Sequence, residues 1–477
     1  MPASRPITVS GTLKLKRSCS LRWHNLFADF LPVRFFCAGI FFAFFPDLQQ
    51  GRERRLRRKL DNKSFMSILY STLKRIKKEF CMFKFLNLCV LLLCAAVLNA
   101  APGKSYRENP EKYWDFNQLS KAPAYRAAGF EESKADGLQD ILFDGVPVKG
   151  KKAPVFAYIG YPETPMPAGG YPAVLLVHGG GGTAFPEYVR LWKKAGFAVL
   201  SIDWYNSRPV KNAYERRKVK NKIPLEGGTR NNIRENVANM ILAHSLLRSL
   251  PKVNKDKTVF VGLSWGSWYG ATVAALDPRF KGAVEIYCGD VKLNKKGQQL
   301  KNARFWVNGY FVHAAKVPMY WVCSTNDANI TFDSLTRSLN DCPKLVTKSL
   351  VIRLPHSHVG FKFPACFRMA KHFALGEPSL PVLGKISVKD GVASADILNE
   401  GKGITETIFC YTTDKENVKF RYRKWQSIPA KRTGNKLSVK LPEGIFQGFF
   451  SAYDEKSPYR DCCGSSDILF FGHDKDK

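Results

Sequence analysis

The sequence predicts an α/β fold, a mostly parallel sheet with helices on both faces, followed by a smaller all-β sandwich. Three observations predict it. From Val155 onward, short β-rich apolar runs alternate with longer amphipathic stretches, as a parallel sheet with crossover helices requires. Runs such as Ala173-Val-Leu-Leu-Val177 are apolar without interruption, which suits strands buried on both faces. After Gly376-Glu-Pro378 the helical period disappears and short alternating segments take over, separated by turn residues.

In chain order, the strand candidates are 155–159, 173–177, 197–202, 258–263, 283–288, 318–323 and 350–354. Helix-like stretches lie near 186–195, 229–250, 266–276, 332–339 and 364–375. Residues 102–150, rich in Pro, Lys and Asp, read as a leader running over the surface. In the C-terminal part the strand candidates are 385–388, 407–412, 418–422, 436–439 and 448–453, in an immunoglobulin- or fibronectin-like arrangement. The implied organisation is an upstream extension (1–81), a signal peptide (82–101), an α/β catalytic domain (102–378) and a β sandwich (379–477).

The signal peptide rests on Met82-Phe-Lys-Phe-Leu-Asn-Leu-Cys-Val-Leu-Leu-Leu-Cys-Ala-Ala-Val-Leu-Asn-Ala-Ala101. A basic start, an apolar core and small residues at the end are the order of a secretory signal, with cleavage after Ala100 or Ala101. Its core is about 14 residues, short of the roughly 20 a membrane span needs, so no stable span is expected after cleavage. The expected location is secreted or periplasmic. Because this signal lies inside the chain, translation is expected to start at Met82. An anchor around residues 30–46 is the competing reading.

Of the 477 residues, 45% are hydrophobic, enough for a large core, and the net charge is +34. Residues 1–81 hold 17 Lys and Arg against 5 Asp and Glu. No zinc-finger spacing, aromatic-basic RNA signature or helix-turn-helix pattern accompanies this charge, so no nucleic-acid partner is expected. Of the twelve cysteines, seven follow residue 95: Cys288, Cys323, Cys342, Cys366, Cys410, Cys462 and Cys463. Their spacing fits no metal motif. Cys288 and Cys323, in apolar runs, read as small buried hydrophobes. One or two disulfides would be compatible with export, without a pairing legible from spacing.

The chemistry begins at Gly262-Leu-Ser264-Trp-Gly266. It follows the apolar run Thr258-Val-Phe-Val and opens a helix-like stretch, the context in which a G-x-S-x-G turn lifts a serine out of a sheet. His178-Gly-Gly-Gly-Gly182 follows an earlier strand. Its bare backbone can approach a substrate, so the N–H groups of Gly179 and Gly180, with that of Trp265, are the candidate oxyanion hole. His178 itself reads as holding the loop. A phosphate-binding loop is the rival, but it lacks the P-loop lysine and the dinucleotide spacing.

A nucleophilic serine needs a base and an orienting acid, which in this fold follow in the order Ser, Asp/Glu, His. Asp327 follows the run 318–323 and is the candidate acid. His356 and His358 follow the last strand in Leu354-Pro-His-Ser-His-Val-Gly360. His358 is favoured as base because it lies farther past the strand and just ahead of the next helix, and His356 is the alternative. His244 sits on an apolar-periodic helix and reads as a satisfied core histidine. His313, His372 and His473 fall outside the site.

Taken together, Val177-His-Gly-Gly-Gly-Gly-Thr-Ala-Phe185, Ser264-Trp-Gly266, Thr325-Asn-Asp327 and Pro355-His-Ser-His-Val-Gly360 resemble bacterial secreted α/β-hydrolases of the acetylxylan esterase-like, dienelactone hydrolase-like and prolyl oligopeptidase-like groups. The resemblance spans roughly residues 150–378, and the trailing β domain is similar to one common in that group. It departs in one place: relatives often have Gly-Gly after the Ser-Trp pair, whereas Gly266 here precedes Ser267 and Trp268. The resemblance implies cofactor-free serine hydrolysis, with a small-molecule or polysaccharide ester, acetylxylan in type, as substrate. A prolyl oligopeptidase-type peptidase is the first rival, although no blade-length repeat is present. A non-catalytic glycan-binding protein on the same fold is the second. The basic stretch Arg216–Lys222 is a candidate for steering an acidic glycan, and Phe420, Tyr422 and Trp425 are candidates for stacking on sugar rings, Phe420 and Tyr422 sharing one face of a strand.

Overall fold

The computed structural model describes residues 109–205, 207, 209, 233–289, 309–330, 332–415 and 418–471. The expected extension, the signal peptide and the stretch Arg216–Lys222 lie outside the described residues. Pro102–Lys477 form one compact unit, which contains both the α/β layer and the β sandwich.

Nine strands make the central sheet: β1 (Tyr125–Ala127), β2 (Gln139–Phe143), β3 (Val155–Gly160), β4 (Tyr171–Val177), β5 (Ala198–Ile202), β6 (Val253–Leu263), β7 (Gly282–Ile286), β8 (Met319–Ser324) and β9 (Leu345–Val351). Their spatial order is β1-β2-β3-β5-β4-β6-β7-β8-β9. From β5 to β9 all neighbours are parallel, whereas β1, β2 and β3 join antiparallel. Residues 102–150 are therefore not merely a surface leader. Gln139–Phe143 pairs along its whole length with β3, and Ile141, Leu142 and Phe143 are buried. Three consecutive apolar residues after a polar stretch, without alternation, gave too weak a period to mark this strand in the sequence.

Helices cover both faces. A short α1 (Phe116–Leu119) precedes the sheet, and α2 (Pro186–Lys194), α3 (Ile233–Ser249), α4 (Trp265–Leu276), α5 (Gly309–Val312), α6 (Phe332–Asp341) and α7 (Pro364–Leu375) follow its strands. Strand β4 shows why both faces are filled: Ala173, Leu175 and Val177 point into the core shared with α3, α4 and α6, while Val174 and Leu176 point into the core shared with α2 and α7. Helix α7 ends at Gly376 in the left-handed conformation (φ +75°), a standard helix stop.

The C-terminal part is a two-layer antiparallel sandwich. Its strands are β10 (Val382–Leu383), β11 (Ser387–Lys389), β12 (Val392–Asn399), β13 (Glu406–Thr412), β14 (Gln426–Pro429), β15 (Lys431–Thr433), β16 (Lys436–Lys440), β17 (Gln447–Tyr453), β18 (Cys463–Ser465) and β19 (Leu469–Phe470). One sheet holds β10-β12-β16-β15 with β11 on β12. The other holds β14-β13-β17-β18 with β19 on β17. Ala393, Ala395, Ile397 and Leu437 of the first meet Phe409, Phe450 and Ala452 of the second. The expected strand 418–422 is instead a 3₁₀ turn, Phe420–Tyr422, so these two aromatics do not share a strand face. Trp425 is buried against Phe332 and Phe449 rather than open to a sugar.

The sandwich closes the edge of the central sheet at β9. The Leu350 amide donates to Ser465 Oγ (3.0 Å), and Ser349 Oγ donates to the Cys463 carbonyl (2.6 Å). Arg368 of α7 holds Asp454 through two parallel hydrogen bonds (2.7 and 2.5 Å), with both side chains buried. An exposed parallel edge is an aggregation hazard, and the sandwich removes it. The seven cysteines beyond residue 95 are all buried and free, and burial pushes their thiols up. No helix among the described residues is long and apolar enough to cross a membrane.

Candidate active site

Ser264 stands between the end of β6 and the start of α4, with φ +53° and ψ −114°. A non-glycine residue there is strained by roughly 1–3 kcal/mol. The strain is held from outside: the Ser264 amide donates to the Ile286 carbonyl of β7 (2.8 Å), and the Ser264 carbonyl accepts from Ser267 Oγ (2.7 Å) and the Trp268 amide (3.0 Å). Gly266 allows this turn to seat. A Cβ there would lie 2.0 Å from the Val177 carbonyl oxygen of β4. The sequence motif is thus a packing requirement between α4 and the neighbouring strand.

Asp327 and His356 reach this serine from the loops that follow β8 and β9. His356 Nε2 lies 2.9 Å from Ser264 Oγ, and His356 Nδ1 lies 2.6 Å from Asp327 Oδ2. A carboxylate only accepts, so Nδ1 carries the proton and Nε2 is left to accept from the serine hydroxyl. Asp327 is nearly fully buried, and its other oxygen accepts the Asn329 (2.7 Å) and Ile330 (3.2 Å) amides. The His356 ring stacks on Tyr287 at 4.5 Å, and Tyr287 donates to the Pro355 carbonyl (2.5 Å), so ring and loop are held together.

The favoured base, His358, is not the residue in contact with Ser264. It opens a 3₁₀ turn, His358–Lys362, and packs edge-on against Phe185 at 4.9 Å. Its Nε2 lies 2.5 Å from where a Cβ on Gly182 would be. Strand order explains the exchange. The loop leaving β9 runs back across β8 and β7 toward β6 and β4. The first histidine on it meets Asp327 and Ser264 at the ends of β8 and β6. Two residues later it has reached the glycine loop after β4.

That glycine loop lies against the serine. A Cβ on Gly179 would fall 3.0 Å from Ser264 Cβ, and one on Gly180 would fall 2.7 Å from Trp265 Cδ1. Gly179, Gly180 and Trp265 are thus brought together beside Ser264, and Trp265 begins α4, whose N-terminal end carries partial positive charge. His178 is buried and holds the loop, as expected: Nδ1 donates to the Gly179 carbonyl (2.8 Å), and Nε2 stands 3.4 Å from Asp203 Oδ1.

Sequence reasoning missed the residues behind the loop. Asp203 is fully buried and accepts from Thr183 Oγ1 (3.0 Å), Ser207 Oγ (3.1 Å) and the Tyr205 amide (2.9 Å). Trp204 Nε1 donates to the His178 carbonyl (2.7 Å), and the Gly181 amide donates to Tyr205 Oη (3.1 Å). Their signal was the polar-aromatic run Asp203-Trp-Tyr205 straight after an apolar strand. Asn326, beside the acid, was also missed as a structural residue. Its amide faces the Arg423 (2.9 Å), Phe420 (3.2 Å) and Arg421 (3.3 Å) carbonyls of the sandwich.

His244 and His372 bond elsewhere, and His473 lies outside the described residues. His244 is buried between Asp277 Oδ2 (2.7 Å) and Thr258 Oγ1 (2.8 Å), a satisfied core histidine whose burial lowers its pKa to about 4. His372 Nδ1 donates to the Glu377 carbonyl (2.6 Å). Among the described residues no group of three or more His, Cys, Asp or Glu side chains is placed to hold a metal ion.

Residues 155–343 match the model of the Dienelactone hydrolase family. No curated protein matches the chain. Among solved structures, the chain is similar to an acetyl xylan esterase from Paenibacillus sp. R4, at 15% identity, TM-score 0.42, with 55% of this chain and 93% of that one covered. It is similar also to acetyl xylan esterase 1 from Thermoanaerobacterium sp. JW/SL YS485 (17%, TM-score 0.35, 51% and 86%). A third similar structure is a dienelactone hydrolase from Klebsiella pneumoniae subsp. pneumoniae MGH 78578 (15%, TM-score 0.32, 48% and 90%). The sheet order and the serine turn agree with the family match: the chain has an α/β-hydrolase fold, and its residues 155–343 are similar to the Dienelactone hydrolase family.

Proposed function

We propose that the protein is an exported serine esterase that works through an acyl-enzyme. The observation that carries this reading is the relay from Asp327 through His356 to Ser264, at 2.6 and 2.9 Å. In it, Ser264 Oγ attacks the ester carbonyl as its proton passes to His356 Nε2. The alkoxide leaving group takes that proton, and water then clears the acyl group by the reverse path. Asp327 keeps the imidazole in the tautomer that accepts from serine. The amides of Gly179, Gly180 and Trp265 stabilise the oxyanion.

The substrate class we favour is an acylated carbohydrate or another small ester. The family match and the resemblance of the motifs support it, as do the half-buried rings of Tyr205, Trp265 and Trp268 close to Ser264, which offer flat apolar surface to a sugar or aryl group. Export is proposed from the signal-like segment 82–101 alone. It predicts a mature N-terminus at residue 101 or 102, read by mass spectrometry of the extracellular protein.

The central test compares Ser264→Ala, His356→Ala and His358→Ala on p-nitrophenyl acetate and on proline-containing peptide anilides. The first two lose ~10³-fold or more of kcat, and a fluorophosphonate labels Ser264 in the native chain only when His356 is present. His358→Ala stays within about 10-fold, the range of a packing defect beside the site. If His358→Ala is as inactive as Ser264→Ala while His356→Ala keeps activity, the assignment of the base is wrong. Cleavage of anilides without esterase activity overturns the esterase reading.

A further inference from the structure

A cavity of about 700 Å³ lies on the far side of β9 from the catalytic loop, between α6, β9 and the first strands of the sandwich. That volume is within the range of roughly 300–1,000 Å³ common for small-molecule sites. Lys348, near the middle of β9 and opposite Trp321 of β8, is one of its walls. It is only 9% exposed, and among the described residues it makes no hydrogen bond and no ion pair. Lysine is almost never buried without a partner, because the desolvated ammonium has nothing to replace its water. Burial pushes it down to about 8, against the opposing attraction of Asp467.

The charges facing it are few. Asp467 is the one carboxylate among the described residues that line the cavity, and its Oδ1 already accepts the Ile386 amide (2.7 Å). Lys385 adds a second ammonium at the exposed rim, and Cys342 contributes a buried neutral thiol. The pocket therefore has a positive head region. Its other walls include Leu339, Leu383 and Leu398, the last 66% exposed and without cover.

We propose that this cavity binds a small amphiphilic carboxylate, with its head group on Lys348 and its aliphatic chain along Leu339, Leu383 and Leu398. A carboxylate supplies the ion pair that Asp467 does not make with Lys348, and the chain covers Leu398, now open to water. The site is separate from Ser264 and does not depend on the esterase reading.

The test is calorimetric titration of the full chain with decanoate, beside decanol and inorganic phosphate as the tail and the head alone. Saturable decanoate binding is expected, at least ~10-fold tighter than either control, the worth of about 1.4 kcal/mol. At pH 8 an ammonium with a pKa of about 8 is half charged, so binding should draw in up to about half a proton, read from titrations in buffers of different ionisation heat. Lys348→Met should weaken decanoate by ~10-fold or more and leave ester hydrolysis unchanged. A measurement that needs no variant is acetylation of Lys348 by N-acetoxysuccinimide at pH 8, followed by mass spectrometry, which decanoate should suppress. No saturable binding, equal binding of decanol or phosphate, unchanged affinity in Lys348→Met, or undiminished acetylation of Lys348 would each overturn the proposal.

Discussion

Replacing Asn326 measures how far the sandwich holds Asp327, the proposed catalytic acid, in place. Its amide nitrogen has two protons and faces three carbonyls of the turn 420–423, at 2.9, 3.2 and 3.3 Å. Its own oxygen accepts from Thr325 Oγ1 (2.7 Å), and Thr325 Oγ1 accepts the Arg353 amide (3.2 Å) from the base loop. One side chain therefore ties the acid loop, the base loop and the sandwich together. At about 0.5–1.5 kcal/mol net per hydrogen bond, Asn326→Ala removes roughly 1–3 kcal/mol of this docking. Asp327 is the next residue, and its 2.6 Å contact with His356 depends on where the loop sits. If about half of the lost energy appears in the barrier, about 0.5–1.5 kcal/mol, kcat falls by roughly 2- to 12-fold, since 1.4 kcal/mol is one decade. Asn326→Asp keeps the size but sets a carboxylate against three carbonyls, so its loss should be larger, on the order of 10²-fold. The assay is kcat and KM on p-nitrophenyl acetate, with hydrogen exchange over residues 419–425 reporting the docking itself. KM should change little. Both variants folded, with the turn as protected as before and kcat within about 2-fold of the native enzyme, would refute the reasoning.

Other expectations follow from the same geometry. Gly266→Ala should yield little folded protein, because its Cβ would sit 2.0 Å from a strand carbonyl, whereas Gly376→Ala at a helix stop in open space should cost only about 1–2 kcal/mol by thermal denaturation. Asp203→Ala should lower kcat by ~10-fold or more with little change in KM, since it frees the glycine loop whose amides we propose as oxyanion donors. Glu285 is fully buried on β7, with neither carboxyl oxygen hydrogen-bonded among the described residues, and burial holds it well above the usual carboxylate range. The folded chain keeps its proton while the unfolded chain releases it, so Glu285 costs nothing below pH 4.5 and destabilises increasingly above it. The stability difference between Glu285→Gln and the native chain, from denaturant unfolding, should therefore grow in favour of the variant by about 1.4 kcal/mol per pH unit above 4.5 until the native carboxyl ionises. A difference independent of pH would show that Glu285 is charged in the folded state.

Much of this protein was legible in the amino-acid order because the relevant signals are local. Apolar runs and helical periods marked six of the nine sheet strands and the helices α2, α3, α4, α6 and α7, since burial on two faces or one leaves a period in the chain, whereas the expected strand 350–354 overlaps β9 (Leu345–Val351) only at residues 350 and 351. Gly262-Leu-Ser264-Trp-Gly266 identified the serine because a tight strand-to-helix turn has steric demands that only that pattern meets. Asp327 was legible by its place after a strand. What tertiary structure alone decided is long-range. His356 and His358 are equivalent in composition and nearly so in position, and only the strand order β4-β6-β7-β8-β9 shows that the first meets Ser264 and the second the glycine loop. The strands β1 and β2 form because β3 offers an open edge, which a polar stretch does not announce. The turn at 420–422 is held by Asn326, 94 residues away from Phe420, so no local period could have separated it from a strand. The serine is written in the chain because its turn is local, and which histidine meets it was decided by space because a histidine's partners lie on other strands.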